Sequence, residues 1–238
     1  MSDFTRIDFG RPIAIFPADR VVLLPFGAQP IHFFEPRYTQ MVERCIAAGN
    51  GDIARADPIA VAIAEGTLGD SDEPASLRSA VCVGRIDQHL AMPDGRHNII
   101  LQGVARASID SIDEASGDRL FRRAWLRPLE QMTGEEPPML EFREMARELM
   151  SGPRLRRMAS SDAVLECIDR EDVPTSILIE LIGLAVLMDD EARYQVLAEA
   201  DCRERASIID QALHDLDNLI CKIDKQHHLS WPKGMSFN

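Results

Sequence analysis

Residues 78–109, R-S-A-V-C-V-G-R-I-D-Q-H-L-A-M-P-D-G-R-H-N-I-I-L-Q-G-V-A-R-A-S-I, decide the fold. They read as two long strands folded back on each other at Met92-Pro93-Asp94-Gly95. Proline presets φ at the first turn position, aspartate bonds nearby backbone, and glycine takes the left-handed position that closes a bulged hairpin. On the return strand His97, Ile99, Leu101, Gly103, Ala105, Ala107 and Ile109 share one face, with Arg96, Asn98, Gln102 and Arg106 on the other. Ile100 and Val104 interrupt the polar face, so both faces at the base of the hairpin are expected to be covered. Gly103 in mid-strand marks a bulge or a bend.

Upstream, Pro12–Pro17 and Val21–Phe26 are short apolar runs broken by proline and glycine, and both read as strands. Pro30-Ile31-His32-Phe33-Phe34 is a strand running into a helix whose first turn accepts Pro36. Tyr38, Met41, Val42, Cys45 and Ile46 keep helical spacing until Gly49-Asn50-Gly51 stops it. Ile59–Ala64 is another apolar strand, and the acidic stretch 66–74 is expected to be a mobile loop. Phe121–Leu129 alternates as the last strand. Beyond it every pattern is helical: a stripe from Phe142 to Leu149, one helix over Arg154–Ile168, an almost wholly apolar helix over Ile177–Met188, a helix start capped by Asp189-Asp190-Glu191, and a final helix from Asp201. Ala206, Ile209, Leu213, Leu216, Ile220 and Ile223 form the stripe of that last helix, which is expected to pack on Ile177–Met188.

Four separate motifs, in order, resemble one known family. They are I-F-P with V-V-L-L-P-F, then P-I-H-F-F-E-P-R-Y, then V-C-V-G-R-I, and finally M-P-D-G-R-H-N-I-I-L-Q-G-V. The pattern is similar to the N-terminal, substrate-binding domain of Lon proteases, also found in cereblon and in stand-alone bacterial proteins. The resemblance is close over about residues 12–130 and general over the helical remainder. It implies an α+β protein: a PUA-like, strongly curved β-barrel with one helix, followed by an α-helical bundle. The change of character at Glu130-Gln131 divides these into residues 1–130 and 131–238. The resemblance also implies recognition of polypeptides rather than chemistry on them, with a separate ATP-dependent protease as a possible partner.

Composition narrows the functional classes. A net charge of −13 speaks against nucleic acid or an anionic membrane as the main partner. The best local basic patch is Arg119, Arg122, Arg123 and Arg127, on and beside the last strand. The five cysteines, Cys45, Cys82, Cys167, Cys202 and Cys221, show no C-x-x-C spacing, so neither a disulfide framework nor a zinc site is indicated. Residues 1–6 lack the pattern of a secretory signal, and Ile177–Met188 falls short of the roughly 20 residues that span a bilayer. A cytoplasmic chain, monomeric or weakly dimeric, is expected.

No G-x-x-x-x-G-K-[ST] or G-x-S-x-G motif occurs, and the only lysines are Lys222, Lys225 and Lys233. The chain is therefore expected to carry no ATPase or Ser–Lys peptidase, no cofactor and no metal. His227-His228 near Cys221 and Asp224 resemble metal ligands, but adjacent helical residues diverge by about 100°, so a polar helix end is the better reading. His32, Glu35, Pro36, Arg37, Tyr38, Gly84, Asp94, Gly95 and Gly103 carry the resemblance and are read as structural. Phe26, Leu90 and Met92, apolar residues at barrel-end loops, are the candidates for polypeptide contact. Two rival readings remain. One is RNA binding, as PUA-like barrels elsewhere do; the other is a small hydrolase working through His32 or Cys45.

Overall fold

The computed structural model describes residues 7–19, 21–65, 76–129 and 139–225. Its elements run β1 Ile13–Ala18, β2 Ala28–Phe33, α1 Pro36–Ala48, β3 Ile59–Glu65, β4 Ser76–Ala91, β5 His97–Asp113 and β6 Arg123–Pro128. The helices α2 Leu140–Ser151, α3 Ser161–Asp169, α4 Thr175–Val186, α5 Asp190–Ala198 and α6 Cys202–Lys225 follow. The contacts divide the chain into two compact units. One comprises Met1–Gly134 with Leu187–Cys202, the other Glu135–Val186 with Arg203–Asn238.

The first unit is built on the β4–β5 hairpin. Gly95 has φ +82° and donates its N–H to the Met92 carbonyl, while Met92 N–H bonds the Arg96 carbonyl. Asp94 accepts from Arg96 N–H and pairs with its guanidinium, which holds the carboxyl below the usual carboxylate range. The six-stranded sheet runs β2-β5-β4-β3-β1-β6, and β6 also pairs with β5, so five strands close into the expected small barrel. Ile13, Ile15, Ala60, Ala62, Val81, Val83, Ala107, Ala124 and Leu126 form one core cluster. Four of them are alanines, and such small side chains suit a narrow interior. Consecutive residues Val81, Cys82 and Val83 are all fully buried, so the hairpin's base is covered on both faces.

Long strands turn this tightly only by inserting residues. Val83 faces Ala105 and Gly84 faces Gly103, leaving Val104 as an extra residue; Asp87 and Asp110 are extra at two further bulges. Gly103 answers a second demand as well. It exchanges hydrogen bonds with Phe26 N–H and the Gly27 carbonyl, and a Cβ on it would lie 2.2 Å from the Leu24 carbonyl oxygen.

The strand expected over Val21–Phe26 does not form. Val22, Leu23 and Leu24 are buried, but the segment crosses over Gly103 instead of joining the ladder. Pro25 and Phe26 then turn it sharply, with Gly27 N–H on the Leu24 carbonyl and Phe26 at φ +64°. Helix α1 starts with Pro36 in its first turn and ends at Asn50 and Gly51, both at positive φ.

Helix α5 belongs to this unit. Its Tyr194 hydroxyl accepts Ala80 N–H, the Arg78 guanidinium stacks 3.3 Å from the Tyr194 ring centroid and pairs with Glu191, and Arg106 Nε donates to the Val196 carbonyl. Asp189 caps the helix by accepting Ala192 N–H. The contacts thus group the chain differently from a single division at 130/131, because residues 187–202 go with the sheet.

In the second unit, α2 buries Phe142, Ala146 and Met150, and Gly152 ends it. The single helix expected over Arg154–Ile168 is instead a short 3₁₀ turn, Leu155–Arg157, followed by α3. Ser161 Oγ donates to the Leu155 carbonyl, and such a side-chain bond competes with continuing the helix. The Arg143 guanidinium gathers the Ile168, Arg170 and Val173 carbonyls at the end of α3. Helix α4 is buried nearly all round and includes Glu180, which meets Arg205 of α6 at 3.2 Å with both residues 2% exposed. That pair links α4 to α6 at Arg205, a residue outside the expected stripe. Of the stripe itself, Ile209 and Leu213 are fully buried, whereas Ile223 is exposed.

Candidate functional site

The outer face of the β2–β5–β4 end of the sheet carries the candidate site. β2 is an edge strand, paired only with β5 in the order Ala28↔Gln102, Pro30↔Ile100, His32↔Asn98. β4 continues the row with Gln88↔Ile100 and Leu90↔Asn98. Pairing sets Pro30, Ile100 and Leu90 beside His32, Asn98 and Gln88, and these residues help to wall an open groove of about 400 Å³. Proline in mid-strand is tolerated here because an edge strand has one side without a ladder. The same proline blunts the edge against addition of a further strand, which leaves side chains as the recognition surface.

Polar groups in the groove are already ordered. His32 Nδ1 lies 2.5 Å from Asn98 Oδ1, its ring stacks on Phe34 at 6.0 Å, and Asn98 Nδ2 points to the Met92 sulfur at 3.8 Å. Leu90 is 59% exposed and Phe34 64%, large values for such side chains. Among the three residues expected to contact polypeptide, Leu90 stands in the groove wall. Met92 is half-buried at the hairpin tip, touching the groove through Asn98. Phe26 lies before the start of β2, beyond the opposite end of that strand from His32, and is 45% exposed. Pro30 and Ile100 were not singled out from the sequence. The interruption of the polar face by Ile100 was the available signal, since the cross-strand register puts it opposite Pro30.

Three residues of the family pattern contact one another where β2 becomes α1. Glu35 Oε2 binds the Arg37 guanidinium at 2.7 and 2.8 Å, and that guanidinium lies 4.7 Å from the Tyr38 ring centroid. Tyr38 closes an aromatic cluster with Phe16 and Phe33 at 5.0 and 5.9 Å, and burial pushes its hydroxyl pKa up. A Cβ on Gly84 would stand 2.7 Å from Leu101 Cγ. The corner where β2 becomes α1 is thus clamped from both sides.

Two rival chemistries find little support in this geometry. The Cys45 thiol is buried and pushed up to about 12, so it stays protonated and is no nucleophile. Every arginine of the basic patch is engaged by a nearby carboxylate, Arg119 and Arg123 sharing Asp113, Arg122 meeting Glu114 and Arg127 meeting Asp110. Among the described residues no three His, Cys, Asp or Glu side chains are arranged to hold a metal ion. His227-His228 lie outside those residues, as do the acidic stretch 66–74 and the 130/131 junction. No helix among the described residues is long and apolar enough to cross a membrane.

Solved structures with a similar fold include two Lon N-terminal domains. The N-terminal domain of Mycobacterium avium complex Lon protease superposes with a TM-score of 0.61 at 16% identity, covering 86% of this chain and 99% of that one. The Lon N-terminal domain protein from Xanthomonas campestris gives a TM-score of 0.58 at 18% identity, covering 83% and 95%. No curated protein sequence matches the chain. A model of the ATP-dependent protease La (LON) substrate-binding domain matches residues 12–215, and with that span the chain belongs to the LON substrate-binding domain family.

Proposed function

We propose that the chain is a non-catalytic recognition module that binds exposed apolar segments of unfolded client polypeptides and serves their delivery to a separate ATP-dependent protease. Family membership supports a substrate-binding role. The observation that carries the reading further is the groove, where the exposed apolar side chains Pro30 and Leu90 and the half-buried Ile100 alternate with imidazole and amide groups. Unfolded chains offer apolar side chains together with unpaired backbone amides, and a surface mixing both chemistries suits them. Met92 at the tip adds an adaptable side chain of the kind used at promiscuous surfaces.

Binding of a fluorescently labelled, unstructured peptide carrying Leu and Phe and no ionisable side chain tests this. Leu90→Ser is expected to weaken the peptide about tenfold, the equivalent of losing one partly buried aliphatic contact. Because Leu90 is exposed in the free protein, its melting temperature should scarcely move. Unchanged affinity in both Leu90→Ser and Ile100→Ser would remove the groove from consideration.

Phe26 gives a separate test. It occupies the turn position at which glycine is usual, and a left-handed φ costs a side-chain-bearing residue about 1–2 kcal/mol. Phe26→Gly relieves that cost while giving up a half-exposed ring, so stability should stay within about 1 kcal/mol of the parent. A weakened peptide in this variant extends the apolar track along β2; a loss of several kcal/mol would show that the ring is part of the core.

A further inference from the structure

Behind the groove, on the hairpin strands that wall it, His89 and His97 meet ring to ring. His89 Nε2 lies 2.9 Å from His97 Nδ1, and the rings stack at 5.1 Å with 21° between their planes. On the far side of the second ring, His97 Nε2 faces Glu43 Oε1 of α1 at 3.5 Å. His97 is almost wholly buried, whereas Glu43 is largely exposed. On β2 the uncharged Phe33 pairs opposite His97, and His32 of that strand is engaged with Asn98.

Three groups in a row, from helix to strand to strand, have a definite proton arithmetic. The short contact between the rings needs one hydrogen, supplied by either nitrogen, and in the neutral pair that condition is met. One added proton can also be held, because the carboxylate of Glu43 compensates the charge and the single hydrogen between the rings remains. A second added proton cannot. Both facing nitrogens would then carry hydrogens, and two cationic rings would stand in contact.

We propose that Glu43, His97 and His89 form a proton-operated clasp between α1 and the far end of the β4–β5 hairpin, closed with up to one added proton and opened by the second. For its consequence the inference rests on the groove reading, since Gln88, His89, Leu90, Asn98 and Ile99 wall that groove and move with the hairpin end. Opening then reshapes the groove and lowers its affinity for apolar peptide in acid. The pKa of His89 fits this order, being held below the ordinary histidine value by burial first and by His97 second. Two such sites titrate as a pair, in two macroscopic steps.

Nitrogen-15 NMR of the imidazole rings, on the full chain between about pH 5 and 8, reads the clasp directly. The same peptide probe, with both termini blocked and carrying a label without a titratable group so that it has no charge to titrate, reads the groove. Two coupled steps are expected, with the backbone signals of Leu90 and Asn98 following the lower one and probe affinity falling about tenfold across it, the linkage of one pKa unit. Glu43→Gln, a change at an exposed helical position, should move the upper step to lower pH. Independent titration of the two rings, or hairpin signals indifferent to both steps, would overturn the clasp. A probe that binds equally well at every pH while the rings titrate as a pair would refute the link to the groove. A probe that never binds, with the coupled steps intact, would instead sink the groove reading and leave the clasp standing.

Discussion

Gly103→Ala is expected to destabilise the sheet-bearing unit by about 3–5 kcal/mol, read from chemical denaturation. The methyl group would stand 2.2 Å from the Leu24 carbonyl oxygen, 2.9 Å from its carbon and 3.0 Å from Cys82 Sγ. Two of those atoms are backbone, so no side-chain rotation makes room. Relief requires the buried segment Val22–Leu24 to lift, which breaks the bonds from Phe26 N–H to the Gly103 carbonyl and from Gly103 N–H to the Gly27 carbonyl. Gly95→Ala is the matched comparison: its φ is +82° but nothing lies within 4 Å of the new carbon, so only the conformational cost of about 1–2 kcal/mol applies. Equal effects at the two positions would show that the crossing over Gly103 yields freely.

The second large effect lies in the helical unit. Glu180 and Arg205 face each other at 3.2 Å, both 2% exposed, and Arg205→Met takes the guanidinium away from a buried carboxylate. Breaking a buried pair from one side costs about 3–5 kcal/mol, because the remaining charge stays desolvated or takes up a proton. Replacing both partners, as Glu180→Leu with Arg205→Met, should recover most of that loss, since apolar residues of similar volume fill the space. A double variant as unstable as the single one would mean that packing, and not charge, is what Arg205 contributes.

Much of the fold could be read from residues alone, and the misses have physical causes. The β4–β5 hairpin was legible because two long apolar-patterned runs flank the turn signal Pro93-Asp94-Gly95, which fixes the pairing at the tip; the bulge at Asp87 left no such mark. Val21–Phe26 was misread because an apolar run has the same composition whether it joins a ladder or lies across one. Only the turn at Pro25-Phe26 decides between them, and there Phe26 stands where turn chemistry calls for glycine. The break between Arg157 and Ser161 turns on one hydroxyl bond to the Leu155 carbonyl. In the groove, Leu90 was legible as an apolar residue near a tip. Pro30 and Ile100 become neighbours only once β2 is paired with β5, a contact between distant segments. The same holds for Glu43 and His97, which no local spacing connects.

The allegiance of α5 to the sheet has a practical consequence for cutting the chain. A stop placed after Leu129 yields every strand and α1, yet it removes Leu187–Cys202 with the helices. The truncated piece loses the Tyr194 hydroxyl from the amide of Ala80, the carbonyl of Val196 from Arg106, and the ring and carboxylate that hold Arg78. Arg106 is 3% exposed in the whole chain, so its guanidinium would face water across a newly opened, largely apolar surface. Neither compact unit is one continuous stretch of sequence, and no single cut separates them. A minimal sheet-bearing fragment has to be spliced, with residues 187–202 joined by a linker behind β6, and a fragment made by simple truncation should be the more prone to aggregate.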